Sequence, residues 1–179
     1  MLRHHHGLPA GRLEAAGYLG PDYQDYLAGI ERRMKDWGLG EEFHYHGTLD
    51  LKKKLAFLRN LDVFSVPCTY DDPKGMYVLE AMACGVPVVE PRRGALAEMI
   101  EKTGGGVLVS PDDPEALALE ILSIWKNPHQ REELGRKGVE GVRTHYSIAR
   151  TAREMTGVYE SLSGASGLKD SAPDMVQSA

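Results

Sequence analysis

The sequence predicts an α/β fold in which a Rossmann-like parallel sheet carries helices on both faces, and three observations lead there. Short apolar runs alternate along the chain with segments of helical periodicity, the pattern of βαβ units feeding one parallel sheet. Helix punctuation sits where that alternation needs it, with Asp50, Asp113 and Pro114 at starts and Gly38 and Gly85 at stops. The composition, 42% hydrophobic and 26% charged over 179 residues, is that of one soluble domain able to bury a core. It excludes a disordered chain and a disulfide-built miniprotein.

Leu13 to Ala16 reads as a weak first strand. From Pro21 to Trp37 the apolar positions Tyr23, Tyr26, Leu27, Ile30, Met34 and Trp37 step by threes and fours, so the spacing predicts a helix that Gly38 ends. Phe43 to His46 is the second strand, after which Asp50 caps a short helix carrying Leu51, Leu55 and Leu58. Asp62 to Val66 is expected as a buried strand, with PCTYDDPKG as the loop leaving it. MYVLEAMAC is a helix ended by Gly85, VPVVE a strand, Ala95 to Lys102 a helix, Gly104 to Gly106 a turn, and Val107 to Val109 a strand. Asp113 and Pro114 open a helix with Leu117, Ile121 and Ile124 on its buried stripe. Helices at His129 to Thr144 and Ser147 to Leu162 complete the ordered part, giving about five short parallel strands in all. No segment repeats at a fixed period.

The chain opens in what reads as the tail of a helix, whereas a doubly wound domain starts with a strong strand and helix, so it is expected to begin partway into a domain. Residues 1–10, with His4, His5 and His6, are expected to be a tag remnant or the end of that helix. Three adjacent histidines do not share a helix face, as an i, i+4 metal pair would. Residues 11–162 form the expected domain, and 163–179, rich in Ser, Gly, Ala and Asp, a disordered tail. The balance of 21 Lys plus Arg against 26 Asp plus Glu, a net charge of −5, argues against a nucleic-acid partner. Cys68 and Cys84 read as reduced thiols of a cytoplasmic protein. No apolar stretch approaches the roughly 20 residues of a membrane span.

Ligands of open α/β sheets bind beyond the carboxyl ends of the strands, where loops meet helix N-termini, and the loop from Pro67 to Gly75 stands there. Its helix begins after Gly75, which leaves the N–H groups of Met76 and Tyr77 as donors at a positive helix end, suited to a diphosphate. Gly75 admits close approach to the backbone. Glu80 follows one turn later on a helix that turns Val78, Leu79 and Met82 inward and offers it no Lys or Arg. Its carboxylate has two readings: an acceptor for the paired hydroxyls of a ribose, or a group that meets the helix-terminal amides or solvent. Asp72 either grips a second part of the same ligand or, with Asp71, forms the turn before Pro73, the commoner role of Asp-Pro. Lys74, Arg92 and Arg93 read first as surface charges and second as phosphate ligands. Glu98 follows Gly94 by four residues, and Lys52, Lys53 and Lys54 read as a solvated face behind the Asp50 cap. No Walker-type loop, Ser-His-Asp set or metal-spaced cluster is present, and no metal is expected.

The segment DDPKGMYVLEAMACGVPVVEPRRGALAEMI resembles the signature of glycosyltransferase family 4, retaining enzymes of the GT-B type built from two Rossmann-like domains. Glu80 matches the second Glu of that signature, Ala81 to Val89 its Ala-Met-Ala-x-Gly-x-Pro-Val-Val run, and Gly94 and Glu98 its last pair. The likeness runs from about Leu13 to Leu162 and takes in AGYLGPDYQDYL, FHYHG and LGRKG.

The resemblance implies the C-terminal, donor-binding half of a GT-B enzyme. It implies that Glu80 holds the ribose of a nucleoside diphosphate sugar, that the amides around Gly75, Met76 and Tyr77 hold the diphosphate or sugar, and that Asp50 lies near the nucleotide. Asp72, standing where the family has its first Glu, would contact the donor sugar hydroxyls as the catalytic residue of the site. The donor is a substrate, and no further cofactor is implied. The implied partner is an N-terminal acceptor domain, toward which the last helix would cross. The family's Arg and Lys for the diphosphate lie in a loop that this chain lacks, so these 179 residues alone are expected to be inert and open to dimerisation through the truncated surface. The parent would transfer a hexose with retention of configuration. The alternative is a non-catalytic nucleotide-binding or interaction module on the same fold; a GT-B epimerase ranks below it.

Overall fold

The computed structural model describes residues 11–163, so the expectations for His4 to His6 and for the tail beyond Ser163 lie outside the described residues. Strand β1 (Leu13–Ala15) is followed by a 3-10 turn (Pro21–Tyr23), α1 (Gln24–Asp36), β2 (Phe43–Tyr45), α2 (Leu51–Arg59) and α3 (Met76–Ala83). Then come β3 (Val88–Pro91), α4 (Gly94–Thr103), β4 (Gly106–Val109), α5 (Pro114–Lys126), α6 (Pro128–His145) and α7 (Ile148–Ser163). The strands pair in parallel, β1 with β2 and β3 with β4, with Leu13 opposite Phe43 and Val88 opposite Gly106.

The strand expected over Asp62 to Val66 is reduced to one parallel bridge between Phe64 and Val88. Phe64 N–H donates to the Pro87 carbonyl and Val89 N–H to the Phe64 carbonyl, each at 3.0 Å. The ladder stops there because the next donor, Val66 N–H, goes to the carboxyl of Glu90 at 2.9 Å instead of to backbone. Among the described residues, four strands in two pairs therefore stand where about five were expected. Gly106 belongs to a strand and not to the expected glycine turn. A Cβ there would lie 2.3 Å from the Val88 carbonyl oxygen, so only glycine lets β4 approach β3.

β3 is buried on both faces, as a strand between two helical layers must be. Val88 joins Met82 of α3 and Leu96 and Ile100 of α4 in one apolar cluster; Val89 joins Val109 of β4 and Ile124 of α5 in the other. α1, the helix clearest by periodicity, contains no buried residue. Leu27, Ile30 and Met34 are half-buried while the flanking Tyr23 and Trp37, with Tyr26, stay exposed, the main neighbours of α1 being the short 3-10 turns Pro21–Tyr23 and Gly40–Glu42 that flank it. Among the described residues no helix is long and apolar enough to cross a membrane, and Cys68 and Cys84 are free thiols.

Candidate functional site

Three loops meet beyond the carboxyl ends of the strands. After β2, Gly47 adopts φ 65° and its carbonyl accepts Gly17 N–H at 2.9 Å, which joins the turn after β1 to the start of α2. Asp50 caps α2 by accepting Lys53 N–H at 2.8 Å. The loop from Pro67 to Gly75 docks on the head of α4: Ala95 N–H donates to the Asp72 carbonyl at 2.9 Å and Gly94 N–H to Asp71 Oδ1 at 3.2 Å. Gly94 has φ 48°, and a Cβ on it would sit 2.4 Å from the Asp72 carbonyl oxygen, so this docking needs glycine.

Asp72 is 8% exposed. Its Oδ1 accepts the N–H groups of Lys74 at 2.8 Å and Gly75 at 2.9 Å, and its Oδ2 accepts the Tyr77 hydroxyl at 3.0 Å. The two amides hold this carboxyl below its ordinary range; burial, then the bond to Asp72, pushes the Tyr77 hydroxyl well above its own. The turn-forming reading of Asp72 is the geometry observed. A grip on sugar hydroxyls would compete with these existing bonds. Gly75 takes φ 52°, and a Cβ there would meet Leu96 Cδ2 at 2.5 Å, so backbone conformation and packing both demand glycine.

At the head of α3 Val78 N–H returns to the Gly75 carbonyl, while the N–H groups of Met76 and Tyr77 meet no acceptor among the described residues. Glu80 lies four residues after Met76, hence on the same helix face, and its side chain is 41% exposed. The sequence offered it no cation on its own helix, yet Lys54 Nζ reaches Glu80 Oε1 from α2 at 2.6 Å. Lys54, expected on a solvated face, is thereby a site residue. It lies four residues after the Asp50 cap and so shares its face, but no local signal says which helix packs beside α2.

Three of the remaining charged candidates are committed elsewhere, Arg92 to Glu101, Arg93 to Asp112, and Glu98 to Lys102 at 2.6 Å, while Lys74 is exposed in the loop before α3. Among the described residues no three potential metal ligands cluster. One group escaped sequence reasoning entirely. Glu90 is fully buried, accepts Val66 N–H with both oxygens at 2.9 and 3.2 Å, and burial pushes its carboxyl up to about 8. The only hint was an acid ending an otherwise apolar strand.

Residues 9–140 match the family described as glycosyl transferases group 1. The phosphatidyl-myo-inositol mannosyltransferase of Mycobacterium leprae is 32% identical over 130 residues, 73% of this chain and 34% of that protein. Sucrose-phosphate synthase from Thermosynechococcus elongatus superposes with a TM-score of 0.77 at 31% identity, over 89% of this chain and 40% of its own. The C-terminal domain of a glycosyl transferase group 1 family protein from Francisella tularensis gives a TM-score of 0.65 at 25% identity, over 72% of this chain and 66% of its own. HepE of Anabaena, solved with UDP-glucose, is alike in fold, with a TM-score of 0.75 at 19% identity over 84% of this chain and 41% of its own. The chain spans about a third of the length of the curated relatives it matches.

Proposed function

Because the chain belongs to the group 1 glycosyl transferases and has the fold of a GT-B C-terminal domain, we propose that it is the donor-binding half of a retaining transferase that moves a hexose from a nucleoside diphosphate sugar to an acceptor. One observation carries the reading: the unpartnered N–H groups of Met76 and Tyr77 and the half-exposed carboxylate of Glu80 occupy one face at the head of one helix. The amides and the helix dipole receive the diphosphate and take up the charge that grows on it as the glycosidic bond breaks. Glu80 accepts the two ribose hydroxyls, with Lys54 beside it as a local cation. Asp72 serves the site by shaping the loop that presents Lys74 and Gly75, and Asp50 fixes the start of the helix that carries Lys54.

The names of sucrose-phosphate synthase and of HepE bound to UDP-glucose support a hexose donor and make uridine diphosphate the probe of choice. With a third of the relatives' length, these 179 residues bind donor without completing a transfer. The exposed side chains of α7, Ile148 at 89% and Leu162 at 78%, supply surface for the acceptor-side domain.

Calorimetric titration of uridine diphosphate tests the reading. Glu80→Ala should bind at least about ten-fold more weakly than the wild type, as expected for losing a charged hydrogen-bonding group, near 1.4 kcal/mol. Equal affinity would remove the ribose role. In the full-length parent, loss of transfer in the same variant supports a donor domain of an enzyme, and unaffected transfer removes the ribose assignment of Glu80.

A further inference from the structure

Of the three lysines that follow the Asp50 cap, only Lys54 is drawn inward. Lys52 and Lys53 are exposed, Lys53 standing 3.9 Å from the Asp50 carboxylate, whereas Lys54 shares a helix face with Leu58 one turn later. Leu58 is 4% exposed and joins Val78, Leu79 and Met82 of α3 in one apolar cluster. That packing sets α2 beside α3 and carries the Lys54 ammonium to Glu80 Oε1 at 2.6 Å. Glu80 stands about 6 Å of helical rise beyond Met76, and helical side chains lean toward the N-terminus, so the carboxylate and the ammonium it holds lie toward the unpartnered amides. A bare carboxylate there would repel a diphosphate, and the ion pair cancels that charge. Glu80 occupies one of the ammonium's donors and keeps Oε2, with a lone pair of Oε1, for hydroxyls. The Lys54 side chain is 37% exposed, which leaves its other donors open to a ligand. Arg92 and Arg93 are held by Glu101 and Asp112, and Lys74 extends from the loop.

We propose that Lys54 reads the phosphate: its ammonium, held by Glu80, donates to the phosphate that adjoins the ribose, so that the site selects a nucleotide over the bare nucleoside. This role rests on the donor function proposed above and adds the group that senses the ligand's charge. A lysine suits it, being a compact point charge with rotatable donors that can serve a carboxylate and a phosphate at once.

Ligand-observed NMR at low and high salt tests it, by measuring the affinities of uridine, uridine monophosphate and uridine diphosphate. The proteins are the wild type, Lys54→Met, which keeps the length of the side chain without its charge, Lys54→Arg, and Glu80→Gln with and without Lys54→Met. Lys54→Met should weaken both nucleotides at least about ten-fold and flatten their salt dependence, while uridine changes by less than about two-fold. Lys54→Arg, which keeps the charge, should regain most of the loss. In the Glu80→Gln background, removing Lys54 should still weaken the nucleotides at least about three-fold, because the phosphate contact outlasts the carboxylate's charge. Uridine weakened as much as the nucleotides would make Lys54 a brace for Glu80 and overturn the phosphate contact, as would no further loss in the Glu80→Gln background. If Lys54→Met binds uridine diphosphate as tightly as the wild type, the phosphate contact falls and the donor reading stands; if the wild type binds neither nucleotide, both fall.

Discussion

Asp72 accepts two backbone N–H groups and one hydroxyl, and these differ in what their loss costs. In Asp72→Ala the amides of Lys74 and Gly75 lose their acceptor on the buried side of an otherwise exposed loop, which costs about 1–3 kcal/mol, whereas Tyr77→Phe removes one hydroxyl and costs about 1 kcal/mol. Urea unfolding should rank the variants in that order, and Asp72→Ala should also weaken uridine diphosphate binding. Equal, small losses would mean that the loop does not depend on this carboxylate. The turn was legible because an Asx turn is closed by residues two and three positions away, and Asp-Asp-Pro announces it. Lys54 and Glu90 were illegible for the opposite reason. Glu80 meets Lys54 across 26 residues and Glu90 meets Val66 across 24, and no local pattern encodes which elements lie side by side.

The same division holds for whole elements. α6 starts at Pro128, one residue before the expected His129, with the Asn127 side chain accepting Gln130 N–H, yet three glycines inside a helix argue against it on propensity alone. Packing explains them. A Cβ on Gly135 would sit 2.3 Å from the Gly85 carbonyl oxygen at the end of α3, and one on Gly141 would sit 2.5 Å from Thr103 Cα at the end of α4. These glycines let one helix close over the ends of two others. Gly138 is looser, its nearest neighbour being Met82 Cβ at 3.2 Å. Gly135→Ala and Gly141→Ala should each destabilise by more than about 2 kcal/mol because backbone must move, while in Gly138→Ala the gain in helix propensity, up to about 1 kcal/mol, offsets a mild squeeze. Denaturation midpoints check the contrast; three equal losses would show that α6 does not rest on these contacts. For the strand expected over Asp62 to Val66 the apolar run was legible and the failure of its ladder was not, because a side chain from the neighbouring strand displaced the backbone acceptor.

For the molecule as a whole, the two buried carboxyls Asp72 and Glu90 shift in opposite directions and shape stability against pH. Asp72 is held below 3.8, so its contribution is present above that value and is lost as pH falls through the lower native one. Glu90 behaves inversely. Its carboxyl stays protonated in the native state up to about pH 8, whereas the unfolded chain gives up that proton near 4.5, so between those values the native state binds more protons and stability falls as pH rises. Each unit of that difference is worth about 1.4 kcal/mol, and 1 kcal/mol moves the melting midpoint of a domain of this size by roughly 2–4 °C. The wild type should therefore melt progressively lower from pH 5 to pH 8. Glu90→Gln, which keeps the amide's acceptor and has no proton to lose, should match it near pH 5 and melt at least about 5 °C higher at pH 8. Thermal unfolding of both proteins across that range decides the matter: a constant separation between the two curves would mean that Glu90 is ionised in the native state at neutral pH, and the buried acid beneath the donor loop would then need a cation that none of its neighbours provides.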